Sequence, residues 1–385
     1  MVSKRTECMT SFIVMDVMER ACELECRDVD VIHLEVGEPD FDTPECVTQA
    51  CCKAMQDGFT HYTHSQGIVE LREAICRYYQ DKYRVTVDPG QIVVTAGCSP
   101  ALFMTFAALL EAGDEVILSD PHYACYPNVI KFVQGRTVFV PVAEADGFQF
   151  RPEAIRDKLS DRTRAVFINS PSNPTGNLLS ARRMEAVAGL GPYVVSDEIY
   201  HGLVYEGTEH SILEFTDRAF VINGFSKLFA MTGLRLGYLI APPQFVRAIQ
   251  KIHQNFFISA NAAVQKAGIV ALEQAHDDVE RMKAIYDRRR RYMIECLRQL
   301  GLGITVEPTG AFYVFANARH LSDDSYRLAF DILEKAHVGV APGIDFGAGG
   351  EGYLRFSYAN SLENIEEGLH RLDRYIKNYR GLPSN

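Results

Sequence analysis

Several common features are missing from this chain, and each absence excludes a class of protein. No stretch reaches the ~18 consecutive apolar residues that span a bilayer, and Met1 to Glu7 lacks the apolar core of a secretion signal, so a soluble protein is expected. Basic residues are in deficit: 39 Lys and Arg face 50 Asp and Glu, a net charge of −11 that argues against nucleic acid or an acidic membrane surface as partner. The cysteines form no Cys-x-x-Cys pair and no compact secreted framework, so neither a metal site nor disulfides are expected. Cys51 and Cys52, with Cys22 and Cys26, are expected reduced on helix faces, which suits a cytoplasmic location. Repeats and low-complexity segments are absent too. What remains is a 385-residue chain, 47 % hydrophobic, long enough to bury a large core and form two domains.

The most informative feature present is Gly224-Phe225-Ser226-Lys227, followed by Gly233-Leu234-Arg235. Residues 220–225 predict a buried strand ending in a turn, and an ammonium beside such a run is costly unless it is paired or deprotonated. Desolvation and nearby cations lower a lysine pKa and make the amine a Schiff-base nucleophile. Ser226 and Arg235 supply a hydroxyl and a guanidinium fork suited to a phosphate close to Lys227, which suggests pyridoxal phosphate. Taken alone, the stretch also fits a snorkelling surface lysine.

Other segments complete the pattern. Tyr193 to Asp197 predicts a parallel strand with Asp197 emerging at its C-terminal end, where ligands bind in open α/β sheets, and a carboxylate there suits a pyridine nitrogen. Tyr200 follows closely enough to reach the ring's phenolate oxygen. Ala165 to Asn169 reads as another buried strand, running into a Pro/Gly-rich turn with Asn173 at its tip. Ile92 to Ala96 reads as a strand, Gly97-Cys98 as a turn, Ser99 as an N-cap and Ala101 to Leu110 as a helix, so Gly97, Cys98 and Ser99 form a phosphate cradle.

These motifs stand in a telling order: Gly37-Glu38-Pro39-Asp40-Phe41, Tyr62 to Gly67 with Leu71-Arg72, Asn173-Pro174-Thr175-Gly176, Asp197-Glu198-Ile199-Tyr200, Ser226-Lys227, Arg235, Pro342-Gly343 with Phe346-Gly347, and Arg355. Over nearly its whole length the chain resembles the class I and II aminotransferases of the aspartate aminotransferase fold. The resemblance implies that Lys227 carries pyridoxal phosphate as a Schiff base and moves a proton, that Asp197 holds the pyridine nitrogen protonated, and that Tyr200 and Asn173 bind the phenolate oxygen. It implies that Arg355 clamps the substrate carboxylate with help from Asn173 and Gly37, that Tyr123 stacks on the ring, and that Tyr62 reaches the neighbouring subunit's phosphate in a homodimer.

From about residue 46 to 275, apolar strands alternate with helical patterns, predicting an α/β, three-layer α/β/α large domain with a mostly parallel sheet. The resemblance adds a smaller, discontinuous α+β domain, residues 1–45 and 276–385, closing over substrate. There, Asp277 to Leu300 predicts a long helix with Arg288 to Arg291 on a solvated face, and strands are expected over 304–317, 338–342 and 353–359.

Rival readings are weaker. Gly97-Cys98-Ser99-Pro100-Ala101 resembles a nucleophile elbow, and a serine hydrolase using Ser99 would take His201, His253 or His337, but this leaves Lys227, Asp197, Arg235 and Arg355 without a role. Gly347 to Gly352 formally fits a dinucleotide fingerprint yet precedes a strand. A transcriptional regulator of this fold would carry an extra helix-turn-helix before Gly37, for which there is little room. A carbon–sulfur lyase would share nearly all the residues named; the wording around Lys227 favours an aminotransferase. In some aspartate-specific relatives a lysine stands at the position of Ser99 and hydroxyl residues line the N-terminal segment. Here Ser11-Phe12-Ile13-Val14-Met15 is apolar after its first residue, so alanine or an aromatic amino acid is the expected donor, with 2-oxoglutarate as acceptor.

Overall fold

The computed structural model describes residues 2–7, 9–379 and 381–382. A short strand β1 (Ile32–His33) precedes the main sheet, whose seven strands are β2 (Ile92–Thr95), β3 (Glu115–Asp120), β4 (Arg136–Pro141), β5 (Thr163–Asn169), β6 (Tyr193–Asp197), β7 (Ala219–Gly224) and β8 (Gly237–Ile240). Their order is β2-β8-β7-β6-β5-β3-β4; β8 runs antiparallel to both neighbours and the other pairings are parallel. The strands are near-continuous apolar runs because both faces are covered. Val94, Val166, Val194 and Val221 enter one core cluster, while Val93, Phe167, Val195 and Ile222 enter another. That alternation with period two places the sheet between two helical layers. Helices Val69–Tyr83 and Ala262–Gln274 supply the first core, and helices Cys98–Leu109 and Pro243–Phe256 the second.

A second group of elements is built from both ends of the chain. β9 (Tyr313–Asn317), β11 (Ala341–Pro342) and β12 (Tyr353–Ser357) form an antiparallel sheet in the order β11-β12-β9, and β10 (Val338–Gly339) pairs in parallel with β1. Helices Ile13–Glu25, Ser325–Ala336 and Leu362–Asn378 pack around it. The expected strand over 304–317 exists only as β9. Before it the backbone turns at Ala311, with φ of +56°, and the N–H groups of Thr309 and Gly310 are spent on the Gly176 carbonyl at 3.0 and 2.8 Å, which pins the Asn173 turn. Gly347 to Gly352 makes one 3-10 turn over Ala348–Gly350, opens no α-helix and leads into β12. Among the described residues no helix is long and apolar enough to cross a membrane, and no cluster of three metal-ligating side chains occurs. Cys22 and Cys51 lie within helices Ile13–Glu25 and Glu45–Gln56, and the nine cysteines among the described residues are free thiols.

The arginine run departs from expectation. Of the run Arg288 to Arg291 in helix His276–Gln299, Arg288 and Arg291 face water, whereas Arg289 and Arg290 are buried, because the helical period puts them on the face of Tyr286, Met293 and Leu297. Arg289 donates to Asp40 Oδ1 at 2.8 Å with its guanidinium over Phe41. Arg290 bonds to Asp287, Glu206 and the Pro308 carbonyl. Removing a buried cation strands its partners, so Arg290→Ala is expected to cost about 3 kcal/mol, while Arg288→Ala and Arg291→Ala change stability by less than about 0.5 kcal/mol; urea unfolding midpoints of the three variants check this ranking.

Candidate active site

The sheet aims its chemistry at one edge. β2 ends at Thr95, the chain turns at Gly97 with φ of +92°, and helix Cys98–Leu109 starts at Cys98. Ser99, expected as the N-cap, is instead inside the first turn: Gly97 caps the helix without a side chain, because a Cβ there would stand 2.5 Å from Arg235 Nη2. The first-turn N–H groups have no intrahelical partner, so the helix start is an anion site. Arg235 faces it and donates to the Thr232 carbonyl at 2.9 Å, and it forms no ion pair among the described residues. Ser226 lines the same corner. Burial pushes the Cys98 thiol up, which leaves it neutral and unreactive.

Asp197 closes β6 in register with Asn169 of β5. Its carboxylate accepts from the Tyr126 hydroxyl at 2.8 Å and from the Ile199 N–H at 3.1 Å. Burial raises its pKa to about 6 despite these bonds, since no cation touches it. Lys227, three residues past β7, donates to the Gly37 carbonyl at 2.6 Å. Burial lowers its pKa from 10.5 to about 8, with the charges of Arg355 and Arg235 acting in the same direction.

Arg355, on β12, is 2 % exposed and has no carboxylate partner among the described residues. Its Nη1 donates to Asn173 Oδ1 at 2.9 Å and its Nη2 to the Glu35 carbonyl at 2.5 Å, while Nε has no partner. The rings of Tyr313 and Phe346 lie 4.3 and 4.9 Å from its guanidinium. Gly37 has no room for a side chain, because a Cβ would stand 2.0 Å from the Tyr313 hydroxyl. Tyr200 shares a hydrogen bond of 2.8 Å with Tyr313, and burial holds its phenol neutral.

One cavity of about 490 Å³ gathers Gly37, Cys98, Ser99, Tyr123, Asn173, Asp197, Tyr200, Ser226, Lys227, Arg235 and Arg355. Gly97 adjoins it through Arg235. Tyr62 lies apart, 82 % exposed beside a surface groove with Phe59 and Val69. A larger groove of about 850 Å³ along helix Leu362–Asn378 contains none of these residues. The cavity has no histidine in its wall: His201 bonds to Tyr83, His253 to the Ser65 carbonyl, and His337 caps helix Ser325–Ala336, so none of the three is a base for Ser99.

Sequence reasoning missed Tyr126, Asn169 and Tyr313. Asn169 bonds to both the Asp197 carbonyl and the Asn173 N–H. Tyr126 follows Tyr123 by one helical turn, a spacing that could have flagged it; Tyr313 gave no signal beyond lying in a strand. Beside Tyr123, Phe12, Val14, Met15 and Met18 make an apolar wall, with Phe12 edge-on to Tyr123 at 5.7 Å.

Residues 29–372 match the family described as aminotransferase class I and II. The (5-formylfuran-3-yl)methyl phosphate transaminase of Methanocaldococcus jannaschii is 42 % identical over 98 % of this chain and 100 % of its own. A Methanococcus jannaschii crystal structure, noted for an active site similar to kynurenine aminotransferases, superposes with a TM-score of 0.92 at 42 % identity, covering 98 % of this chain and 100 % of that one. The aspartate aminotransferase of Thermus thermophilus, solved with maleate, superposes with a TM-score of 0.93 at 38 % identity, covering 97 % and 99 %. The chain therefore belongs to the class I and II aminotransferases and has the aspartate aminotransferase fold.

Proposed function

We propose that the protein moves the amino group of a small or hydrophobic L-amino acid, of the alanine or aromatic type, to a 2-oxo acid such as 2-oxoglutarate, using pyridoxal phosphate held by Lys227. The observation that carries this is the meeting of Lys227, Asp197 and Arg355 in one cavity. The residues present fit the cofactor: Gly97 leaves a cradle that a Cβ would fill, Arg235 is a cation without a carboxylate, and Asp197 is a buried carboxylate without a cation. When bound, the cofactor supplies an electron sink for the amino acid's α-carbon.

The side chains divide the remaining work. Ser226, Arg235 and the start of helix Cys98–Leu109 hold a phosphate. Asp197 keeps a proton on the ring nitrogen, and Tyr126 keeps Asp197 in place. Asn173 spends its carbonyl oxygen on Arg355, so its NH₂ is left, with Tyr200, to bind a phenolate oxygen. Arg355 binds the α-carboxylate through a forked pair of charge-assisted bonds, and its unpartnered Nε is a donor already in place. Lys227 Nζ takes the α-proton, a task for which a pKa near working pH is suited.

The substrate class follows from the wall. Phe12, Val14, Met15 and Met18 offer apolar contact, and among the described residues the cavity's cations are Lys227, Arg235 and Arg355, each already assigned. An aspartate side-chain carboxylate would meet none of its own. We infer a homodimer, supported by the outward Tyr62 among exposed Phe59 and Val69, and a smaller domain of residues 1–45 and 276–385 that closes over substrate.

Steady-state assays with single amino acids and 2-oxoglutarate, scored for glutamate, are expected to give alanine or phenylalanine a kcat/KM at least about tenfold above aspartate. Preference for aspartate overturns the substrate class, and ammonia with pyruvate as products points to a carbon–sulfur lyase. The lysine carries its own prediction. In cofactor-free protein, acetic anhydride labelling of Lys227, read by mass spectrometry, is expected to rise with pH through about 8, the neutral amine being depleted below that value.

A further inference from the structure

Glu35 is a carboxylate in an unusual place. It is fully buried, its Oε2 has no hydrogen-bond partner, and among the described residues its side chain bonds to His33, whose Nδ1 lies 2.6 Å from Oε1. His33 in turn reaches Glu25 through Nε2 at 3.2 Å. The carboxylate raises the His33 pKa to about 9, so the imidazole is a cation at neutral pH. A buried charge with one bare oxygen is costly, and the fold also keeps a glycine to admit it: a Cβ on Gly339 would stand 2.0 Å from Glu35 Oε2.

The backbone of the same residue does something specific. Its carbonyl accepts Arg355 Nη2. Residue 34 is fixed on both sides, its N–H bonded to the Gly339 carbonyl at 3.0 Å and its carbonyl accepting from Ser357 at 2.7 Å. Asn360 holds the His33 carbonyl. These bonds wedge the segment between β10 and β12, the Glu35 side chain braces it internally through His33, and its far end aims the Glu35 carbonyl at the guanidinium. Among the described residues, the Glu35 carbonyl and Asn173 alone anchor the two arms of Arg355 by hydrogen bonds.

We propose that Glu35, through its ion pair with His33, is a positioning residue that sets the Arg355 fork for the substrate carboxylate. The inference rests on reading Arg355 as the carboxylate site. Neither residue contacts the cavity, so the effect is on carboxylate binding and not on the proton transfer itself.

The test uses the holoenzyme with Glu35→Gln, which keeps the shape and removes the charge, and His33→Gln, which leaves Glu35 in place without its cation. The readouts are kcat, KM for donor and acceptor, and the Ki of 3-phenylpropionate, a carboxylate with no amino group. In each variant both KM values and the Ki are expected to rise about tenfold, with kcat within about twofold. The double variant is expected to be no worse than either single one, because both break the same pair. Gly339→Ala, which crowds Oε2, is expected to shift the same constants in the same direction. Unchanged KM and Ki with a lowered melting temperature would mean a purely structural role and overturn the proposal, as would a fall in kcat alone. Arg355→Lys separates the two layers: an unaltered Ki there overturns the carboxylate reading of Arg355 itself, whereas a raised Ki there with a normal one in Glu35→Gln overturns only the role of Glu35.

Discussion

At the end of a buried parallel strand, Asp197 has a tyrosine hydroxyl and one backbone N–H for company and no cation in contact. Nothing in the apolar sheet around it solvates the charge, and its pKa rises to about 6 for that reason. A cationic ring nitrogen entering the cavity would repair the imbalance, and its affinity would come largely from repairing it. The strands deliver the rest of the site: Asn169 closes β5 and Asn173 follows it, β7 leads to Lys227, and β8 begins just after Arg235.

The opposite imbalance is stored at the two ends of the cavity. Arg235 is held by a carbonyl oxygen, and Arg355 by carbonyl and amide oxygens and aromatic faces, with no carboxylate in ion-pair contact among the described residues. Two points of the cavity wall can therefore take an anion, one beside a helix N-terminus and one beside Asn173. Such preorganised charge acts without reorganisation at the moment of reaction. The segment from Glu35 to Glu38 ties the two halves together: its carbonyls hold Arg355 and Lys227, and Glu38 bonds to Thr232 next to Arg235. A short piece of irregular chain thus sets the spacing between the carboxylate fork and the lysine.

How much of this was legible in the sequence depends on whether a residue sits at the end of a strongly patterned element. Asp197, Asn173 and Lys227 follow continuous apolar runs, so their place at a sheet edge could be read directly. Ser99 was misplaced as a cap because the deciding contact, Gly97 against Arg235, spans more than a hundred positions of chain. Arg289 and Arg290 look identical in sequence to their exposed neighbours, and only the packing of helix His276–Gln299 separates them. Tyr126, Tyr313 and Glu35 act through side chains or carbonyls supplied by distant elements. No local pattern encodes such contacts, and in Glu35 the alternation His33-Leu34-Glu35 reads as an ordinary half-exposed strand.

The central claim is that Lys227 and Asp197 together make a pyridoxal phosphate site, and the most direct measurement is a visible-absorbance titration of cofactor-free protein with pyridoxal phosphate, repeated with Lys227→Ala and Asp197→Asn. Wild type is predicted to develop a saturable band above that of the free cofactor; Lys227→Ala should bind without forming it, and Asp197→Asn should form it with weaker affinity. A wild-type spectrum that is the simple sum of protein and free cofactor would contradict the account.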